Sequence, residues 1–396
     1  MKVKPDSRTM KIMGRTTQMR DVLYLGFSAS YLEFETIADH ISVTMCTDET
    51  VMEECHLGWF AVYLDDQKQP VLRQALTKPE ETFVIFHEER ERRVKLRLVK
   101  MSEAAFGLVG VKEFEILRGG CAGQDAVKKD VMGQDAVKNG AAGNDDAGKD
   151  IGQDETAQEV KNDISIIKTP ARPHRMEVIG DSITCGYGNE GVLNKDTFTT
   201  SQENPEEAYA VLTANALNAD YQFVAWSGIG VITNWVPEDV NEPLEEILMP
   251  ELYPYRDRRL CERLGLPLAE WDTAQYEPEL VVLHLGTNDD SYVRKIPERQ
   301  AYFAEKYYAF LEEIHRKNPQ AAILCTLGVL GQNLCEEEEK QMARFAAAHP
   351  DVKTAYLVLP EQDEVDGIGA DFHPSKRTHQ KTAALLTQKI KEFMNW

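Results

Sequence analysis

No stretch of this 396-residue chain approaches the roughly 20 consecutive apolar residues that a membrane-spanning helix requires, and its start, MKVKPDSRTMKIMGRT, has no apolar core for a secretory signal. The expectation is a cytoplasmic protein with no membrane partner. Positive charge is also scarce. Lys and Arg number 44 against 66 Asp and Glu, for a net charge of -22. Nucleic-acid binders gain affinity by neutralising phosphates, so this balance excludes nucleic acid as a partner and favours a neutral substrate. Paired cysteines are missing as well: Cys46, Cys55, Cys121, Cys185, Cys261, Cys325 and Cys335 are odd in number, scattered and without a C-x-x-C spacing. They read as free thiols, with no disulfide framework and no zinc site.

What is present suffices for two domains. Hydrophobic residues make up 42% of the chain and aromatics 8%, enough to fold it as a whole. Short runs of β-branched and aromatic residues at 31–34, 41–46, 59–64, 82–87, 94–99 and 111–116 are of strand length, and most are bounded by polar or turn-forming residues. Many short strands without a helical period predict a β-sandwich or jelly roll over 1–118. Composition then shifts to Gly, Ala, Asp, Gln, Asn and Lys across 119–162, where GQDAVKKDVM is followed by GQDAVKNGAA and a decayed GQDE. Such sequence has almost no large apolar residue to offset ordering entropy and predicts a solvated, repeat-expanded insertion. A strand-like run at 164–168 then returns the chain to the β-domain, giving that domain 163–170 as a second piece.

From 171 to 396 strands and helices alternate: strands at 176–179, 222–226, 280–285, 322–326 and 354–359, helices at 206–217, 298–317, 336–348 and 376–394. This predicts an α/β domain, a parallel sheet wrapped by helices in three layers, with ligands beyond the carboxyl ends of the strands. Three segments fall at such ends, and a fourth precedes the last helix. IGDSITCGYG follows the first strand and offers Ser182 as a nucleophile. WSGIG follows the second and leaves Gly228 with an unencumbered N–H. LGTNDD follows the third and brings the amide of Asn288, a donor suited to a developing oxyanion. ADFHP precedes the last helix, with His373 held extended by the proline after it.

GDSIT, SGIG, GTND and HP stand in the order of the blocks that define the GDSL, or SGNH, hydrolases, and the chain resembles that superfamily over about 176–396. The β-rich front half, the AWSG run and ADFHPSKRTHQ make it most similar to carbohydrate esterase family 2, whose members carry an N-terminal jelly roll. The resemblance implies that Ser182 attacks an acyl carbonyl, that His373 shuttles the proton, and that the oxyanion hole comprises the N–H groups of Ser182 and Gly228 with the Asn288 side chain. It implies no metal or organic cofactor. One position departs from the family pattern: the Asp usual three residues before the histidine is Ala370, and Asp371 lies two before. In an extended segment that offset turns the carboxylate to the opposite face. A Ser–His dyad oriented by the Ala370 carbonyl is therefore preferred to a triad using Asp371.

Tyr187, Trp226 and Trp235 are candidates to line a sugar site, since aromatic faces pack on pyranose rings, with a core role as the competing reading. His284 and His379 read as structural, and Asp181 as a loop anchor. The expected activity is release of acetate from acetylated xylo- or manno-oligosaccharides. The alternatives are a lipase- or thioesterase-type acyl esterase and a non-catalytic carbohydrate-binding protein, because fold does not fix substrate.

Overall fold

The computed structural model describes residues 1–48, 54–119 and 165–396. Apart from Gly119, the low-complexity segment lies outside these residues. The front of the chain forms a curled, jelly-roll-like antiparallel sheet. Its strands run Thr16–Met19, Val22–Leu25, Val109–Leu117, Tyr31–Cys46, Glu80–Lys100, Trp59–Leu64 and Leu72–Ala75 in spatial order. The short strand Ile167–Lys168 pairs antiparallel with Tyr31–Cys46.

Two of these strands are longer than the sequence suggests. The runs at 31–34 and 41–46 are one strand, as are those at 82–87 and 94–99. Their polar middles pair with one another, Glu35 opposite Lys95 and Ala38 opposite Arg92, and a register shift falls between Ala38 and His40. Arg93 Nε donates to Glu35 Oε2 at 2.7 Å. Cross-strand ion pairs thus carry the ladder through a stretch with no apolar alternation.

The second sheet is wholly parallel, in the order Ala219–Ala225, His174–Gly180, Leu280–His284, Ala322–Leu327 and Thr354–Val358. The helices Tyr209–Ala216 and Lys376–Met394 bury Tyr209, Ala383, Leu386 and Ile390 against one face. Pro297–Lys317 and Cys335–Ala348 bury Phe303, Phe310 and Phe345 against the other, completing three layers. Chain order along the sheet is 2-1-3-4-5. Its switch point lies between His174–Gly180 and Leu280–His284, the place where such sheets open a crevice for ligands. Ser182 and Asn288 leave the sheet at those two strands.

The β-domain is docked onto the α/β domain by buried and half-buried charge. Lys11 pairs with Asp220 and Arg97 with Glu206, and the Arg15 guanidinium donates to the Tyr253 carbonyl at 2.6 Å. Among the described residues no helix is long and apolar enough to cross a membrane.

Candidate active site

Strand His174–Gly180 ends in a tight turn into the one-turn helix Ser182–Cys185. The Asp181 carboxylate caps that helix by accepting the Ile183 N–H at 3.0 Å, so it serves as a loop anchor. Ser182 is the first helical residue, where the backbone N–H has no intrahelical acceptor. Past the helix, Gly188 takes φ +62°, and a Cβ there would lie 2.8 Å from the Ala370 carbonyl oxygen. The Gly188 carbonyl accepts the Ala370 N–H at 3.0 Å. A glycine is therefore what lets the serine loop and the histidine loop touch.

That contact brings Ser182 and His373 together. Ser182 Oγ lies 2.8 Å from His373 Nε2. His373 Nδ1 is 3.0 Å from the main-chain carbonyl of Asp371. A carbonyl only accepts, so Nδ1 carries the proton and Nε2 presents its lone pair to the serine hydroxyl. Burial pulls the imidazole down to about 4, keeping it neutral.

The orienting carbonyl is one residue later than expected. The Ala370 carbonyl accepts the His373 backbone N–H, 3.0 Å away, and it is Asp371 that supplies the acceptor for the ring. The reason is local conformation. The segment Ala370–Phe372 is a 3-10 turn rather than an extended strand, with Asp371 at φ +48° and Phe372 at φ +66°. The Asp371 carboxylate meanwhile accepts the Tyr187 hydroxyl at 3.0 Å.

The WSGIG segment wraps over the opposite side of Ser182. Gly228 sits at φ +78°, a left-handed conformation that favours glycine, with open space where a Cβ would stand. Its carbonyl accepts the Trp235 N–H at 2.8 Å, and its own N–H donates to no acceptor among the described residues. Asn288 Nδ2 donates to the Ile229 carbonyl at 2.8 Å, while its approach to Asp181 Oδ2, 3.5 Å, is too long to hold the second amide hydrogen. Asp289, wholly buried beside it, accepts from Val231 and Ile232 at 2.9 and 2.7 Å.

Ser182, Gly228, Asn288, Asp371 and His373 share the lining of one open cavity of about 920 Å³. Of the aromatic candidates, Trp235 lies on this cavity and is 57% exposed. Tyr187 lines it too, but its ring is packed between Phe198, 3.5 Å between centroids, and His373, 4.4 Å, so it braces the imidazole. Trp226 is not on this cavity. It faces an adjoining one of about 320 Å³, under the Arg259 guanidinium. His284 is a core residue packed on Tyr209, and His379 Nδ1 accepts the Tyr209 N–H.

Sequence reasoning missed Phe372, 60% exposed at the rim, and the carboxylates Glu238 and Asp290 in the lining. It also missed Glu103 of the β-domain, whose Oε2 accepts the N–H of Ser227, the residue before Gly228, at 2.6 Å. Among the described residues the ligand atoms of Glu103, Cys185 and Glu203 lie within 4.8 Å of one another, all buried, and form a group able to hold a metal ion.

The GDSL-like Lipase/Acylhydrolase family matches residues 178–381, and the Carbohydrate esterase 2 N-terminal family matches residues 12–122. Cellulase/esterase CelE of Acetivibrio thermocellus is 36% identical over 228 residues, covering 56% of this chain and 26% of that protein. An acetylxylan esterase / glucomannan deacetylase of Cellvibrio japonicus is 29% identical over 231 residues, 58% of this chain and 60% of its own length. A solved family two carbohydrate esterase from Clostridium thermocellum in complex with cellohexaose superposes with a TM-score of 0.75 at 26% identity, covering 98% of this chain and 99% of that one. This chain belongs to the GDSL-like lipase/acylhydrolase family, with a family 2 carbohydrate esterase N-terminal domain in front of its hydrolase domain.

Proposed function

We propose that the chain is a carbohydrate O-acetyl esterase that releases acetate from acetylated xylo- or manno-oligosaccharides through a Ser182–His373 acyl-enzyme cycle. The observation that carries this reading is the 2.8 Å contact between Ser182 Oγ and His373 Nε2 on a cavity that Gly228 and Asn288 also line. In the first half-reaction the Oγ–acyl bond forms as the hydroxyl proton passes to Nε2. The sugar C–O oxygen then departs with that proton as the carbonyl re-forms. Water repeats the sequence on the acyl-enzyme and frees acetate and serine. The oxyanion faces the two N–H groups and the Asn288 amide in both halves.

The cavity's chemistry supports a sugar. Glu238, Asp290 and Asp371 give it carboxylate acceptors for hydroxyl groups, and Trp235 and Phe372 give it exposed aromatic faces at the rim. Those same carboxylates repel anionic headgroups. The same direction is given by the Acetivibrio relative, a cellulase/esterase, by the Cellvibrio relative, an acetylxylan esterase / glucomannan deacetylase, and by the cellohexaose bound to the Clostridium enzyme. The test is an acetate-release screen on defined acetylated oligosaccharides beside long-chain p-nitrophenyl esters. Preference for the long-chain esters would replace this reading with a lipase-type one. Sugar binding that is indifferent to Ser182→Ala, with no ester cleaved, would leave only a binding protein.

The orientation of His373 yields a sharper expectation. Because the Asp371 main chain holds Nδ1, Asp371→Asn keeps the tautomer and should lower kcat by no more than about tenfold, roughly 1.4 kcal/mol. A carboxylate acting as a third catalytic member would cost up to about 10⁴-fold. Steady-state rates at saturating acetyl ester and neutral pH decide the matter, and a loss beyond about a thousandfold with the fold intact refutes the dyad.

A further inference from the structure

Among the described residues, the loop that carries Gly228 is fixed at several points, and all but one lie within the hydrolase domain. Trp235 holds the Gly228 carbonyl, Asn288 the Ile229 carbonyl, and Asp289 the N–H groups that follow. The remaining point is the residue just before the glycine. The Ser227 N–H donates to Glu103 Oε2 at 2.6 Å, and Glu103 belongs to the β-domain, three residues past the end of strand Glu80–Lys100.

We infer that Glu103 is a positioning residue for the oxyanion loop, so that the β-domain supplies one of the supports on which catalysis in the hydrolase domain depends. This rests on the acyl-transfer reading of Ser182 and Gly228. The hydrogen bond fixes the 226–227 peptide, and only the φ and ψ of Ser227 separate that peptide from the Gly228 N–H. A glycine in the left-handed region has no side chain to hold it, so the direction of its N–H is inherited from its neighbours.

The support is itself rigid. Glu103 is wholly buried between Ser102 and Ala104, both also buried. Ser102 Oγ accepts the Trp59 N–H at 3.1 Å, tying the loop to its own sheet. On the other side Arg263, in the hydrolase-domain helix Arg258–Arg263, donates to the Ala105 carbonyl at 3.0 Å and to the Phe106 carbonyl. The loop is thus clamped from both domains, and its acceptor is held where a donor of the oxyanion loop must lie. Without this acceptor the part-buried Ser227 N–H would be free to turn, and the Gly228 N–H would turn with it.

The test uses the full chain with Glu103→Met, which fills similar volume without an acceptor, and Glu103→Gln, whose amide oxygen accepts the same N–H. Both are assayed on p-nitrophenyl acetate and an acetylated xylo-oligosaccharide beside Ser182→Ala. Glu103→Met should lose about 10- to 100-fold in kcat with KM within about threefold, because the oxyanion exists only past the ground state. Glu103→Gln should stay within about threefold of the wild type. Backbone amide exchange across 226–228 should speed up in the first variant and not in the second. If Glu103→Met does not fold, Glu103→Asp replaces it, drawing the acceptor back by one methylene, about 1.5 Å. A kcat within threefold of wild type in Glu103→Met or its replacement overturns the inference, as does an equal loss in Glu103→Gln. Failure of the underlying reading looks different: Ser182→Ala would then keep its activity whatever the Glu103 variants do.

Discussion

Ser182→Ala and His373→Ala are each expected to lower kcat for acetate release by about 10⁴- to 10⁶-fold, and the double variant should be no worse than either alone. The two side chains act as one unit: Nε2 can take only the proton that Oγ gives up, so removing either member removes the acyl-enzyme route. Residual turnover would come from binding and the oxyanion donors. Neither change should unfold the protein, since Ser182 Oγ has His373 as its partner and the loop is held by the Asp181 cap and the Gly188–Ala370 contact. Single-turnover acetate release on protein with unchanged melting temperature measures this. Pure Ser182→Ala with a tenth or more of the wild-type rate sinks the serine mechanism.

The same histidine sets the pH profile. A general base works in its neutral form, and burial holds His373 at about 4 against about 6.5 for a free imidazole. As pH falls, kcat/KM should therefore hold level through 6.5 and fall off only as the pH nears 4. Asp181, pushed up to about 7 by burial, keeps a lone pair for the Ile183 N–H in either form and does not gate the rate. An acid limb centred at 6.5 in kcat/KM for a soluble acetyl ester contradicts the desolvated imidazole.

The α/β half was legible because its signals are local. The strands His174–Gly180, Ala219–Ala225 and Leu280–His284 are short buried runs that lead straight into the segments of Ser182, Gly228 and Asn288, and the helix Lys376–Met394 has the bounds its pattern predicts. In the β-half the charged stretch 88–93 hid the continuity of the strand Glu80–Lys100, since cross-strand partners such as Glu35 are far away in sequence. Glu336, Glu337 and Glu338 lie in the first turn of the helix Cys335–Ala348, where negative charge suits the helix dipole. Yet Glu338 is buried between the hydroxyls of Tyr307 and Tyr356, which no local rule foretells. The site shows the same division. Ser182, Gly228, Asn288 and His373 each sit in a recognisable block, whereas the carbonyl that orients His373 depends on two left-handed residues that side-chain spacing does not reveal. Trp226 is a sugar-site candidate only as an aromatic residue in the WSGIG segment, and it lines the neighbouring cavity instead. Glu103 carries no motif, because what gives it a role is the docking of one domain on another.

Asn288→Ala is the second large expected effect. It should lower kcat by about 10²- to 10³-fold, equivalent to about 2.7–4 kcal/mol of barrier, while KM stays within about threefold. The amide has two hydrogens, and the structure commits only one of them, to the Ile229 carbonyl. The other has just the 3.5 Å approach to Asp181, so it can swing to an oxyanion that appears only after attack. Truncation removes both interactions. The loss of the Ile229 contact is a stability term of about 1 kcal/mol, read from denaturant unfolding. The loss of the free donor is a rate term, read from kcat and from weaker inhibition by an acetyl-mimicking boronate, whose tetrahedral adduct needs the same donor. Asn288→Asp separates the two further. It has no hydrogen to give when ionised, and it places a third carboxyl beside the buried Asp181 and Asp289, so its kcat should fall below that of the alanine variant. A kcat for Asn288→Ala within threefold of wild type, in protein with the fold intact, would remove Asn288 from the oxyanion hole and leave the Ser182 and Gly228 N–H groups to stabilise the charge alone.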